Sequence, residues 1–327
     1  MQQSTLGREL TGQPLPKFKL ENVTCYQCGK SDSRHFIEAE DDLTGVPGRY
    51  RFVTCTHCEL SYQNPRIDVS EIGQFYDNDY IAHRKKKNWG ILTPFYERAM
   101  EKHDRQKTKI VEKYVSLHSR TRVLDVGCAV GSFLGFLKKK FNVQPVGVDF
   151  KDLKSEATNR GIDFRLGKLS DQKFAESSFD LITMWHFLEH DYEPLNSLKM
   201  CSKLLADDGR LVIEVPRLDS LSYQLFKERW PGLQAPQHTV LFSKKSFLEM
   251  IENANLEVVD YMPWGAFPAY FYFFAGFLFK KNKGAGVNFD KVLVPYFLGQ
   301  QLSYPFFMFE KKLNLAMQTV VCKKKMA

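Results

Sequence analysis

From residue 122 onward, short apolar runs alternate with stretches of helical periodicity. The runs at 122–126, 145–149, 162–166, 181–184 and 211–215 are almost continuously apolar, as expected of strands covered on both faces. Between them, 132–140 and 152–160 carry apolar residues at helical spacing, and Gly161 stops the second. Two later strands are expected at 256–261 and 317–322. Repeated strand–helix alternation predicts an α/β domain built on a doubly wound, mainly parallel, seven-stranded sheet over 121–327. Ahead of it the pattern divides into a loose tail at 1–20, a small module at 21–66 and a charged helical connector at 67–120. In that connector Thr93-Pro94 marks a helix start.

One stretch breaks the alternation. Residues 261–309 hold 17 of the chain's 45 aromatic residues, and an insertion is expected at 262–313. The run 264–279 has no charge but is interrupted by Pro268, and a spanning helix needs about 20 apolar residues. Lysines at 280, 281, 283, 311 and 312 flank the apolar stretches. This suits an interfacial segment, a lid over a substrate, or a packed pair of helices that could form a homodimer interface.

Composition adds little to this picture until the cysteines are placed. The chain has 327 residues, 43% hydrophobic and 26% charged, with a net charge of +8, which is an ordinary globular balance. The start MQQSTLGREL carries no apolar stretch, so no secretory leader is expected and the protein is expected in the cytoplasm, with peripheral membrane contact through 264–309 as an option. Four of seven cysteines form two pairs, Cys25-x-x-Cys28 and Cys55-x-x-Cys58, separated by 26 residues. Two thiolate pairs make a tetrahedral zinc site with no open position, a structural staple for a module too small to bury its own core. His57 lies within the second pair, where four cysteines leave it no vacancy.

The most informative run is Val123-Leu124-Asp125-Val126-Gly127-Cys128-Ala129-Val130-Gly131, a strand breaking into a glycine turn that opens a helix. Gly127 and Gly131 let backbone approach a ligand, and the helix start offers free N–H groups. The next strand ends in Asp149, 18 residues beyond Gly131, where a carboxylate can accept from two ribose hydroxyls. Spacing argues against a nicotinamide-dependent dehydrogenase, because G-x-G-x-x-G is absent. With the strands at 178–186 and 208–216, these motifs resemble the class I S-adenosylmethionine-dependent methyltransferases, over roughly 120–327. The paired cysteines and the segment 55–80 resemble bacterial members with an N-terminal zinc ribbon. That resemblance implies a Rossmann-like methyltransferase sheet, S-adenosylmethionine as cofactor and Zn²⁺ as structural ion. It places Asp125, Gly127 and Gly131 at the cofactor's methionine end, Asp149 at the ribose and Lys168-Leu169 beside the adenine. Cys128, Ala129, Phe150 and Trp185 complete the set. Ala129 stands where the family has a glycine, and a negative φ would accommodate its methyl.

Methyl transfer needs alignment, a dry site and, for oxygen or nitrogen acceptors, a base. The carboxyl edge of the fourth strand reads Trp185-His186-Phe187-Leu188-Glu189-His190. If helical, it sets His186, Glu189 and His190 on one face, with His238 as a fourth member. The set is similar to the metal sites of plant small-RNA 3′-end methyltransferases and ubiquinone-pathway O-methyltransferases, with His186 replacing a glutamate. A hydrogen-bonded shell around the acceptor is the alternative, and Tyr76 and Tyr80 are candidate covers. The expected activity is methyl transfer to a small-molecule, sugar or lipid-linked acceptor. The rivals are an RNA methyltransferase whose zinc module grips its substrate, and a non-catalytic cofactor-binding scaffold. The basic run Arg84 to Lys87 is the main feature favouring nucleic acid, and it reads more simply as a solvated face.

Overall fold

The computed structural model describes residues 18–76, 93–307 and 309–325. The N-terminal module is antiparallel. It comprises β1 (Leu20–Glu21), β2 (Ser33–Ala39), β3 (Tyr50–Cys55), β4 (Ser61–Gln63) and β5 (Arg66–Ile67), with β5 paired to β1. A short 3-10 turn, Ile72–Phe75, follows. Helix α1 (Thr93–Val111) then leads into the main domain. The connector expected at 67–120 is therefore α-helical only from Thr93 to Val111 among the described residues, and 67–76 is a strand end and a 3-10 turn. Tyr80 and the Arg84–Lys87 run lie outside the described residues.

The main domain alternates as the apolar pattern predicts: β6 (Arg122–Val126), α2 (Ser132–Phe141), β7 (Gln144–Asp149), α3 (Lys154–Thr158), β8 (Asp163–Leu166), β9 (Phe179–Trp185), α4 (Pro194–Leu204) and β10 (Leu205–Pro216). After these come α5 (Leu221–Phe226), β11 (Val240–Leu241), α6 (Lys244–Asn253) and β12 (Leu256–Met262). A helical hairpin, α7 (Ala269–Asn282) and α8 (Phe289–Phe307), precedes the final strand β13 (Met317–Lys324). Helix α3 is shorter than the span 152–160 suggests. The Asp152 carboxylate accepts from the Lys154 N–H at 3.1 Å, so it caps the helix from outside.

The seven strands lie in the order β12-β13-β10-β9-β6-β7-β8. β6 to β10 pair in parallel, and only β13 runs against its neighbours β10 and β12. Strand order reverses beside β6, and the carboxyl ends there form the crevice where such sheets bind ligands.

The module is not an appendage. Its sheet has the order β11-β4-β3-β2, so it takes one strand from the main domain. Cys25, Val53, Cys55, Leu60 and Tyr62 share one buried core with Leu124, Ile182, Ile213 and Phe242. Arg229 donates to Asp42 at 2.6 Å and to Glu40 at 2.7 Å. Tyr62 is wholly buried within that joint core. Tyr62→Ala is expected to cost about 3 to 5 kcal/mol, as for other large buried aromatics. Calorimetry should show the whole chain's single transition moving down, not a separate early melting of the module.

Candidate functional site

The glycine turn after β6 is shaped by contacts that exclude side chains. Gly127 has φ +77, and a Cβ there would meet Phe187 at 2.6 Å. Gly147 in β7 leaves room for Cys128, whose Sγ would lie 2.6 Å from an added Cβ. Gly131 also has φ +70, but it faces Ile162 and Ala157 behind the turn. It starts α2 and does not line the cavity, unlike Val130 and Ser132 on either side. Ala129 departs from expectation: its φ is +47, a left-handed position that costs a non-glycine residue about 1 to 3 kcal/mol. Its N–H is held by Asp149 Oδ2 at 2.8 Å, which supports that conformation.

This turn borders a cavity of about 1030 Å³ at the carboxyl edge of the sheet. Asp125, Gly127, Cys128, Ala129, Asp149, Phe150, Lys168, Leu169 and Trp185 all line it. Asp149 is buried and also accepts from the Lys151 N–H at 2.9 Å. Burial raises its carboxyl above the usual range. Asp125 accepts from the Thr183 hydroxyl at 2.6 Å, and burial pushes it up to about 7. Trp185 Nε1 is buried without a hydrogen-bond partner among the described residues.

Lys107 of α1 completes this end, and the sequence reading missed it. It is 8% exposed, lies over the rings of Trp185 at 5.2 Å and Phe133 at 5.6 Å, and lines the cavity. It has no hydrogen bond or ion pair among the described residues. The signal was available in the helix period. Asp104, Lys107, Thr108 and Val111 share the buried face of α1, where polar residues need a reason.

The histidines do not share a helical face. β9 ends at Trp185, His186 has φ +56, and Leu188–His190 is a single 3-10 turn. His186 Nε2 donates to Glu214 Oε1 at 3.1 Å, and its Nδ1 lies 3.6 Å from Glu189 Oε1, an ion-pair distance too long for a hydrogen bond. Burial alone would lower its pKa, but the Glu189 and Glu214 carboxylates raise it to about 9. His186 is therefore held as an imidazolium at neutral pH by its two carboxylate partners.

His190 and His238 meet edge to face, with ring centroids 4.4 Å apart. His238 Nδ1 lies 2.8 Å from Gly232 O and must carry the proton, since a carbonyl only accepts. His190 Nδ1 lies 3.1 Å from Gln237 O and 2.8 Å from the Tyr76 hydroxyl. Burial lowers both pKa values, that of His238 well below the usual range. Each neutral ring thus has Nε2 as its lone-pair nitrogen. Glu189 is 2% exposed, and both of its carboxylate oxygens lack hydrogen-bond partners among the described residues. Ligand atoms of Glu189, His190 and His238 all lie within 4.8 Å of one another, and all three line the cavity. The N-terminal module contributes to the same site. Tyr76 packs on Phe150 at 5.1 Å, and Leu43, Thr44 and Ile72 line the far wall with Phe271 and Tyr272 of α7.

The four paired cysteines converge at the other side of the module, with all four Sγ atoms within 4.8 Å. Cys25 and Cys58 are 3.4 Å apart at sulfur, and Cys28 and Cys55 3.5 Å. Those separations exclude disulfides and approach the roughly 3.8 Å edge of a tetrahedron with 2.3 Å zinc–sulfur bonds. His57 instead pairs with Asp32 on the surface at 3.1 Å.

Comparison with known proteins adds to this geometry. The methyltransferase domain family matches residues 90–261. The chain is 30% identical over 152 residues to a ubiquinone biosynthesis O-methyltransferase of Idiomarina loihiensis, covering 42% of this chain and 61% of that protein. It is 25% identical over 101 residues to the chloroplastic tocopherol O-methyltransferase of Arabidopsis thaliana, covering 28% of this chain and 29% of that one. The match thus spans less than two thirds of either relative. Among solved structures, an S-adenosylmethionine-dependent methyltransferase from Mesorhizobium loti is 12% identical with a TM-score of 0.46, covering 67% of this chain and 98% of that one.

The charge on His186 sets a pH dependence. Its folded pKa, about 9, lies above the ordinary histidine value, so its ion pairs stabilise fully below about pH 6.5 and are lost as pH rises through 9. Denaturant titrations of the native protein should show this loss between pH 6.5 and 9. In His186→Asn the decline across that window should be smaller. Equal declines in both proteins would place the titrating group elsewhere.

Proposed function

Since this chain belongs to the methyltransferase domain family, we propose that it is an S-adenosylmethionine-dependent methyltransferase that methylates a hydroxyl of a small-molecule, sugar or lipid-linked acceptor. The observation carrying this reading is the pair of neutral imidazoles, His190 and His238, on the same cavity as the glycine turn. A neutral buried histidine can take an acceptor proton, and His186, already charged, cannot. The O-methyltransferases among the relatives support the same choice of acceptor atom.

The cavity fits the cofactor through its unpaired groups. The Lys107 ammonium lines it without a hydrogen bond or close ion pair among the described residues, in the field of Asp125 and Asp104, and would hold the carboxylate of the methionine end. Asp149 would accept from the ribose hydroxyls, with Leu169 and Phe150 against the base. Gly127 and Cys128 bring backbone close, and Trp185 walls the site. When bound, S-adenosylmethionine supplies an electrophilic methyl on a sulfonium. The methyl would pass to the acceptor oxygen as the sulfonium became a thioether, and His190 or His238 would take up the hydroxyl proton released. The chain's part is to orient both partners in a water-poor space and hold that proton.

A second reading has its own observation. Glu189 offers a buried carboxylate with no hydrogen-bond partner, between two imidazoles whose Nδ1 atoms face backbone carbonyls. That outer bonding pattern suits histidine ligands, and two imidazoles with one carboxylate suit a transition metal. Such an ion would lower the pKa of the acceptor hydroxyl. In the N-terminal module, Cys25, Cys28, Cys55 and Cys58 would hold structural Zn²⁺, and elemental analysis of protein purified without chelator should find one zinc per chain at that site.

Titration calorimetry should detect S-adenosylmethionine binding. Lys107→Met is expected to weaken it by about 1.5 to 3 kcal/mol, and Asp149→Ala by about 1 to 3 kcal/mol. Failure to bind S-adenosylmethionine at all would overturn the assignment of the cavity. His190→Ala and His238→Ala should lower turnover while leaving cofactor affinity within a few-fold of native. Turnover abolished by chelator and restored by a divalent transition ion, without change in cofactor affinity, would select the metal reading over a base acting alone.

A further inference from the structure

The aromatic insertion folds as the α7–α8 hairpin, and its exposed surface differs from the one its phenylalanines suggest. Phe279 is buried, and Phe271, Phe273 and Phe274 are half-buried. They pack on Phe226, Tyr272, Tyr296 and Phe307. Of the α7 phenylalanines only Phe277, at 61% exposed, faces outward. The outward face belongs instead to α8. Val294 is 63% exposed, Leu298 61%, Leu302 84% and Phe306 49%. These four stand four residues apart and so form one stripe, about 18 Å long at 1.5 Å per residue. Phe309 and Leu313 continue it beyond the helix.

Soluble surfaces tolerate single exposed apolar side chains, but a continuous stripe of this kind marks an interaction surface. Among the described residues no helix is long and apolar enough to cross a membrane. What borders the stripe selects its partner. Lys291 stands at its start, Lys311 and Lys312 at its end, and Lys280, Lys281 and Lys283 close the neighbouring helix. A second copy related by a two-fold axis would press this lysine-bordered face against itself. An anionic bilayer gives every lysine an opposing charge and gives the stripe an apolar phase at headgroup depth.

We propose that the α7–α8 hairpin docks on the surface of an anionic bilayer, with Val294, Leu298, Leu302 and Phe306 inserted and the flanking lysines at the headgroups. The same hairpin lines the cavity through Phe271, Tyr272 and residues 285–288, so docking sets one wall of the acceptor site against the membrane.

Cosedimentation of the full chain with vesicles of phosphatidylcholine, with and without phosphatidylglycerol, gives the measurement. Binding should require the anionic lipid and weaken as salt approaches about 0.5 M, where screening is strong. Leu298→Glu with Leu302→Glu should reduce partitioning at least about tenfold, since charges at an inserted position oppose burial. Lys311→Glu with Lys312→Glu should reduce it several-fold at low salt. Because Leu298 and Leu302 are already mostly exposed, thermal stability and cofactor binding should be unchanged in the first variant, which shows that it folds. Vesicle binding unaffected by Leu298→Glu and Leu302→Glu would overturn the proposal. So would an intact protein that stays in the supernatant at low salt, and a sedimentation dimer abolished by the same pair would then assign the stripe to a second copy.

Discussion

A wholly buried carboxylate must be met by donors from every side, and Glu214 of β10 is met in this way. His186 Nε2, the N–H groups of Ala266 and Phe267, and the Thr319 hydroxyl all donate to it. Burial would raise its pKa, but the His186 imidazolium and the two backbone donors hold it below the usual range. Gly265 is required beside it, because a Cβ would lie 2.6 Å from the carboxyl carbon. One side chain thereby ties the end of β9, the entry to the α7–α8 hairpin and β13 to the middle of the sheet. It also explains why His186 accepts a left-handed backbone: the charge pairing offsets a conformational cost of about 1 to 3 kcal/mol.

Fixing His186 in this way divides the labour among the histidines. Two carboxylates keep it charged, whereas His190 and His238 sit where burial keeps them neutral. Three histidines within one cavity wall therefore present opposite chemistry to anything bound there. Lys107, held over Trp185 and Phe133, gives the opposite end of the cavity its own positive charge. Among the described residues, Trp185 Nε1, His103 Nε2 and both Glu189 carboxylate oxygens are buried without a hydrogen-bond partner on residues that line the cavity, where a ligand would satisfy them.

The N-terminal module and the hairpin complete the far wall together. The loop from Asp41 to Gly45 touches the hairpin turn closely enough that a Cβ on Gly45 would lie 2.9 Å from Ala285. The module's strands share a core with the main sheet, and its Tyr76 bonds to His190. The cysteine cluster and the cavity-lining residues of the module are thus mechanically linked through β3 and β4. The exposed apolar stripe of α8 belongs to the same hairpin.

The strands of the main sheet were legible in the chain itself, because both-face burial demands nearly continuous apolar runs and the helices between them carry their own period. The glycine turn, Asp149 and the cysteine pairs were legible for a similar reason, since each depends on spacing within a short segment. The inward face of α1, with Lys107, could have been found from helical period alone. The rest depended on groups far apart in sequence. That His186 would turn to Glu214 and leave Glu189, His190 and His238 together depends on β10, the Gly232 carbonyl and Tyr76 meeting at one sheet edge. That Ala129 would adopt a positive φ depends on Asp149 holding its N–H. That α8, not α7, would present the exposed stripe depends on Phe226 of α5, with Tyr296 and Phe307 of α8, covering the phenylalanines of α7. Local periodicity determined which elements this protein has; pairing between distant polar groups, which only close packing can satisfy, decided what those elements present to a ligand.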